Sequence, residues 1–487
     1  MPDPAAAYGN INSNKLRFRS GLIIKNTPHV LINHIVVTKS DGYGAALLNN
    51  YKEITVINSK FTWNILSESF VDHTIGGSGM IILVSKCDIE NESICTKSTL
   101  TDHTCYEISF VSFEYNYYNK PKKVLKWMLL YGGGLNVLLS NKSIGQAIKI
   151  TRSKFSKNIV VAGGGGLGLT LCEGATGNQV LIHACNFSGN FAKFSDLGGG
   201  GGGLKLGLFT IKSEKSGYNN ITFNICRFIG NKAIYGGGAA IKIGGTAKNL
   251  KNKTVLLFKN SFWYYNEGIF SAAMDISQQI QQLMTTTFCS IPEFESCQFT
   301  GNLIFDKGKP NNISLYQGKA TFLITKVQVQ FKGDTSFLGN DQTALSIVSA
   351  NIFIKDSSTM TFIHNRGNEV GGISTAGFSV IQYGDNVIFN FTNNHGRTPR
   401  SSGAIHAKSF DPHIFISSHV CFLQSFKGKA KNVTFYFFNN GPSIFVTGLH
   451  PYRYACTNNE DTVFPPICII HSMIMLIIVL DNFISII

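Results

Sequence analysis

The stretch Ile221–Ile243, ITFNICRFIGNKAIYGGGAAIKI, decides the fold. Ile221 and Phe223 form one alternating apolar pair, and Cys226 and Phe228 form a second. Asn231 follows, and then a glycine run leads into Ala240 and Ile241. The same offsets return at Ile54, Val56, Ser59, Phe61 and Asn64, and at Tyr106, Ile108, Val111, Phe113 and Asn116. They recur at Ile148, Ile150, Ser153, Phe155 and Asn158, and at Val180, Ile182, Cys185, Phe187 and Asn190. Leu256, Phe258, Ser261, Trp263 and Asn266 repeat them, as do Pro292, Phe294, Cys297, Phe299 and Asn302, which makes seven copies. A period of this length is the signature of a solenoid.

Each offset has a physical reason. Alternate residues of a strand face one side, so each apolar pair points inward together. The three-residue step between the pairs breaks that period and predicts a bend. The segments GGLGLTL and GGLKLGL, after Gly163 and Gly201, predict a third short strand. Three strands and three bends then make one coil. Coils stacked about 4.8 Å apart pile the aromatic position into a column of offset rings. The small residue before it (Ser59, Val111, Ser153, Cys185, Cys226, Ser261, Cys297) fits beside that column. The Asn is expected to take a left-handed turn conformation and to form an amide ladder with the Asn above it.

Composition agrees with strands rather than helices. Apolar residues are 44% of the 487, charged residues only 15%, and there are 49 Gly and 37 Phe, against roughly 25% charged in an average soluble domain. The net charge of +15 is spread singly over many coils, and its densest cluster is Lys120, Lys122, Lys123 and Lys126. No nucleic-acid motif accompanies it, so solvated turn lysines are expected and no nucleic-acid partner. Of the 11 cysteines, Cys185, Cys226 and Cys297 occupy the small inward position and read as buried free thiols. Cys87, Cys95 and Cys105 crowd a polar insertion, where at least one disulfide is expected, and Cys421, Cys456 and Cys468 lie near the end. The eight N-glycosylation sequons, including those at Asn186, Asn220, Asn390 and Asn432, are about what this composition gives by chance.

Residues 1–20 read as a disordered or incomplete amino-terminal cap: MPDPAAAYGN has neither the basic start nor the apolar stretch of a signal peptide. The coil array is expected over residues 21–448, with Val30–Leu48 already coil-like. Insertions at 84–105 and 117–131 read as loops, and Ser271–Ser290, with MDISQQIQQLM, as a short helix across one face. Residues 449–466 form a cysteine-containing linker. The hydrophobic tail 467–487 is a candidate membrane anchor, against which His471, Asp481 and Asn482 count.

The paired signatures Gly237–Ile241 and Phe228–Asn231 resemble the GGAI and FxxN repeats of chlamydial polymorphic outer membrane proteins, which are right-handed parallel β-helices of the pectin-lyase-like class. HVLINHIVVTKSDGYGAALLNN and the cysteine-bearing insertion are similar to predicted extracellular β-helix proteins of sponges. The resemblance implies an all-β, right-handed parallel β-helix of about 10–11 coils in a secreted or cell-surface protein. It does not imply an activity, because this fold carries lyases, hydrolases and adhesins alike.

A catalytic reading finds little support. The clustered aspartates of polygalacturonases are absent, and the nearest fragments are Gly384-Asp385-Asn386 and His395-Gly396-Arg397, which read as turns. Gly163, Gly165 and Gly168 match a dinucleotide fingerprint, but LTLCEGATGN after them opens no helix to cradle a phosphate. Gly198–Gly203 lacks the Lys-Ser/Thr of a phosphate loop. His183 and His364 read as loop histidines with no metal. The expectation is therefore a non-catalytic extracellular or cell-surface scaffold that presents loops for adhesion or ligand binding. Glycans or cell-surface proteins are the expected partners, without catalytic residues, cofactor or metal. The alternative is a polysaccharide lyase or glycoside hydrolase on the same fold.

Overall fold

The computed structural model describes residues 20–447 except 67–76, 85–103, 119–131, 140–142, 162, 172–174, 194–199, 210–218, 245–253, 279–289, 305–318, 377–378, 398–400, 409–420, 426–431 and 441–443. The Lys120–Lys126 cluster, Cys87, Cys95, Cys456, Cys468, the linker and the tail lie outside the described residues. The chain is an all-β parallel β-helix in two compact units, Met1–Ile291 and Pro292–Ile487.

In the first unit each coil contributes one strand to each of three long parallel sheets. The coil quoted above gives Asn220–Asn224 to the first sheet, Arg227–Ile229 to the second and Ala239–Gly244 to the third. It also gives a two-residue strand, Lys232–Ala233, directly after the Asn. This fourth strand departs from the expected three per coil. It recurs at Tyr117–Tyr118, Ile159–Val160 and Phe191–Ala192 and forms a narrow parallel ribbon. Only two residues of each coil pair there before the glycine bend, too few to show as a period in sequence. His29–Asn33, Val36–Thr38 and Tyr43–Leu48 form the first complete coil, as Val30–Leu48 predicted, and Ser20–Lys25 of the coil before pairs with Tyr43–Leu48.

The ladder register places equivalent residues directly opposite one another. Phe61, Phe113, Phe155, Phe187, Phe228 and Trp263 are successive partners in the second sheet, all fully buried. Their ring centroids lie 5.5, 5.0, 4.7, 4.8 and 5.1 Å apart, near-parallel throughout. In the second unit Phe299, Phe337, Phe362, Phe391 and Phe437 stack in the same way at 4.8, 5.1, 4.8 and 5.3 Å.

The Asn position carries the most connected polar structure. Asn158 Nδ2 donates to Asn190 Oδ1 (3.0 Å) in the next coil and to the Phe113 carbonyl (2.8 Å) in the preceding one. Asn158 Oδ1 accepts from the backbone N–H (3.0 Å) and the Nδ2 (2.9 Å) of Asn116. Both donors and both lone pairs of the amide are thus used. The pattern runs through Asn64, Asn116, Asn158, Asn190, Asn231 and Asn266, which are 52, 42, 32, 41 and 35 residues apart in sequence. The second unit repeats it at Asn302, Asn340, Asn365, Asn394 and Asn440.

The amide ladder was legible; its backbone was not. The left-handed residue is the one before the Asn, at Trp63, Tyr115, Lys157, Gly189, Gly230 and Tyr265, with φ between 52° and 60°. The Asn must face inward to join its neighbours, so the turn falls one residue earlier. A second, shorter amide chain was missed: Asn178 Nδ2 donates to Asn219 Oδ1 (2.9 Å), and the Gln146 N–H to Asn178 Oδ1 (3.0 Å), at the bend into the first sheet.

Two further expectations need correction. Ser271–Gln278 is a strand of the third sheet, not the start of a helix, because Met274 and Ile276 point inward in register with Ala239 and Ile241; residues 279–289 lie outside the described set. Cys105 is an exposed free thiol at the start of Cys105–Ser109, so it supplies no disulfide to its insertion. Cys185, Cys226 and Cys297 are buried thiols that form no disulfide, and burial pushes the Cys185 thiol up to about 12.

These contacts set two expectations. Phe228→Ala should lose about 3–5 kcal/mol in denaturant unfolding, the usual cost of emptying a buried aromatic site. Asn190→Leu should lose at least about 2 kcal/mol despite its apolarity, because it leaves the Asn158 donors, the Phe155 carbonyl and Asn231 Oδ1 without their partner. Under native conditions Cys105 should label rapidly with a thiol reagent, and Cys185 and Cys226 only on unfolding.

Candidate ligand-binding surface

Of the insertions expected to carry function, at 84–105 and 117–131, residues 85–103 and 119–131 lie outside the described residues. Within the coils, the unusual features of the first unit lie on the outward side of the turn before the amide ladder. Glycine suits that left-handed position, and Gly189 and Gly230 occupy it in two coils. In others it holds Trp63 (φ 58°), Tyr115 (φ 54°) and Tyr265 (φ 52°). A bulky side chain there works against the backbone by roughly 1–2 kcal/mol, a kind of strain that concentrates at functional sites.

Trp63 is 51% exposed, and its ring stacks on Tyr115 at 4.5 Å and 5°. In the next coil Lys157 Nζ sits 5.1 Å over the Tyr115 ring and donates to its hydroxyl at 3.0 Å. That bond holds the Lys157 ammonium above the usual lysine range. Beside this column Lys193 Nζ lies 4.4 Å over Tyr117 and donates to its hydroxyl at 2.7 Å. On the other side Arg152 lies 5.5 Å over the exposed Phe110. Between them Glu114 is flanked by Lys154 (3.0 Å) and Lys60 (3.7 Å). Partial burial opposes its charge, but the Ser112 and Lys154 hydrogen bonds and the two lysine charges outweigh that and hold the carboxyl below its usual range. Lys60 and Lys154 thus flank this carboxylate and Lys157 feels its charge, while Arg152 and Lys193 stand over their own rings. The surface is a flat aromatic platform with an excess of cations. A second aromatic group, Phe262, Tyr264 and the 60% exposed Tyr265, lies on the same sheet beside Arg227, with the Phe262 and Tyr264 rings 5.7 Å apart.

The third sheet holds a different polar group, on its outward side. Lys205 and Asp275 are each 2% exposed. Ala240 separates them in register. Lys242 Nζ donates to Ser277 Oγ (2.6 Å) and lies 3.7 Å from Asp275 Oδ1, to which Ser277 Oγ donates at 3.2 Å. Burial, reinforced by the Lys242 charge and opposed by that of Asp275, brings the Lys205 ammonium down to about 7. Lys205 was legible only as the polar residue between Leu204 and Leu206. Asp275 was hidden by the helical reading of MDISQQIQQLM.

The pair weighed for catalysis does not meet. The Asp385 N–H donates to Asp356 Oδ1 (2.9 Å) within stacked turns, whereas Arg397 is ion-paired with Asp341 and also bonds Asn368. The glycines at 163–165 form a bend into the strand Leu167–Leu171, as the turn reading has it. His364 lies in the left-handed turn before Asn365. Among the described residues no His/Cys/Asp/Glu group is arranged to hold a metal ion, and no helix is long and apolar enough to cross a membrane. No protein-family model matches the chain, and neither a curated protein nor a solved structure gives a significant match.

The buried amine gives a stability test with a definite sign. Between about pH 7 and the ordinary lysine value of 10.5 the unfolded chain binds a proton at Lys205 that the folded chain does not. Stability should therefore rise with pH through this window and level off below about 7. Lys205→Met should flatten that slope between pH 7 and 9 in chemical denaturation and be the more stable protein at pH 7.

Proposed function

We propose that this protein is a non-catalytic extracellular or cell-surface scaffold that binds acidic glycans along the outward aromatic and cationic face of its first unit. The single observation that carries this reading is the exposed Trp63–Tyr115 stack, held in a backbone conformation that other coils give to glycine. Stacked rings offer a flat apolar face to the C–H side of a sugar ring. The cations around them suit its carboxylate or sulfate groups, as charge-assisted pairs. The likeness of the coil to chlamydial surface proteins and to sponge extracellular β-helix proteins supports a surface location. Membrane attachment through residues 467–487 and binding of cell-surface proteins through the insertions belong to the same proposal.

The turn geometry supplies an unusually clean variant. Trp63→Gly and Tyr115→Gly place glycine where the backbone favours it, so the fold should hold. Affinity for alginate, polygalacturonate or heparin oligosaccharides, measured by calorimetry, should fall at least about tenfold, the equivalent of about 1.4 kcal/mol. Binding by the parent protein should also weaken with salt. Unchanged affinity in the double variant, or release of unsaturated or reducing ends from these glycans, would refute the proposal.

A further inference from the structure

The outward side of the second sheet changes character between its two aromatic groups. From coil to coil, the turn position before the ladder Asn reads Trp63, Tyr115, Lys157, Gly189, Gly230 and Tyr265. Rings stand at both ends of this series and glycines lie between them. A Cβ on Gly230 would meet nothing within 4 Å, and one on Gly189 only the Lys157 Cγ at 3.5 Å, so the space above both is open. The strand leading to Gly189 carries only short side chains on this side. Asn186 and Ser188 stand in register with Lys154 and Ser156, and Ser188 Oγ donates to Ser156 Oγ at 3.3 Å. The surface is therefore a shallow saddle between two aromatic ends.

The far end has its own chemistry. Arg227 follows Asn186 in register and Phe262 follows Arg227, while Tyr264 follows Ile229. The Arg227 side chain is exposed and enters no ion pair among the described residues. Burial pushes the Tyr264 hydroxyl up, and the Arg227 charge opposes that. Tyr265, with φ 52° and 60% exposure, repeats the left-handed aromatic turn of Trp63 and Tyr115. The two ends differ in charge. Glu114 lies between lysines at the first. At the second, no carboxylate occupies the outward positions from Asn186 to Tyr264, and Glu267 beyond them is paired with Lys232 at 2.9 Å.

We propose that Arg227, Phe262, Tyr264 and Tyr265 form a second subsite, and that one acidic glycan chain crosses the saddle to occupy both ends at once. The subsite rests on the acidic-glycan reading of this face. At about 4.8 Å per coil, Trp63 and Tyr265 are about 24 Å apart, a span that a disaccharide cannot cover and an octasaccharide can. Trp63 and Tyr115 hold one part of the chain by stacking. Arg227 takes a carboxylate or sulfate further along as a charge-assisted pair, with no existing ion pair to break. Two weak contacts joined in one ligand raise its affinity only when the ligand is long enough to reach both.

The test uses the full chain and alginate oligosaccharides from disaccharide to octasaccharide, with affinity measured by calorimetry. Affinity should rise at least about tenfold once the chain spans the saddle. Tyr265→Gly gives this turn the residue that other coils already carry there, and Arg227→Gln changes an exposed side chain, so both variants should keep the circular dichroism of the parent. Each should lower octasaccharide affinity at least about tenfold and remove the step with chain length. Arg227→Gln should also weaken the salt dependence of binding. Octasaccharide affinity unchanged in both variants, or affinity that does not depend on chain length, overturns the second subsite. If Trp63→Gly still weakens binding in that case, the glycan-binding reading survives without it. A parent protein that binds none of these chains overturns both.

Discussion

The buried amide column is the constraint on which the coils depend. Each ladder Asn places a side-chain amide where the chain turns away from the aromatic column, and each amide is completed by the coils on both sides. A lone coil would bury an amide with half of its hydrogen bonds unmade, a cost of about 1–3 kcal/mol for each group left without a partner. Coils are therefore stable only in a stack, which gives the array its cooperativity. The column also fixes the register, since an Asn displaced by one residue would turn to the opposite face. Rungs 52 and 32 residues apart in sequence keep the same 3.0 Å amide contact. Insertions are accommodated outside the column and leave it unchanged.

The inward face is settled by stacking, so variation is confined to the outward one, where the two regions of chemical interest in the first unit differ in kind. At the turn before the ladder, Trp63 and Tyr115 occupy a conformation better suited to glycine; their rings stack, and Lys157 bonds the Tyr115 hydroxyl. On the third sheet the polar residues are buried instead. Lys205 lies there with its stem against neighbouring glycines, beside the Lys242–Asp275 ion pair. One surface is open and multiply charged; the other is enclosed and holds a buried lysine.

The absence of any matching family or structure leaves the coil as the basis for the functional reading. A solenoid of this kind is indifferent to what its outward positions carry. The departures from the repeat are a Trp where two other coils have glycine and a lysine buried on the outward side of a strand. Asp385 and Arg397 belong to separate turn contacts, with Asp356 and Asp341.

The sequence by itself determined the strands, the inward aromatic column, the Asn ladder and the buried thiols. Each is a one-dimensional pattern: a fixed offset repeated in every coil becomes a column once coils stack in register, so Phe61 through Trp263 could be placed from spacing alone. Only the tertiary structure decided which residue takes the left-handed turn, that a two-residue strand follows the Asn, and that Ser271–Gln278 joins the third sheet. These depend on where the neighbouring coil's partners lie. The ion pair of Lys242 with Asp275 and the stack of Trp63 on Tyr115 were likewise hidden. Such contacts join residues dozens of positions apart through loops of irregular length, and no period in the chain records which side chains those loops bring together.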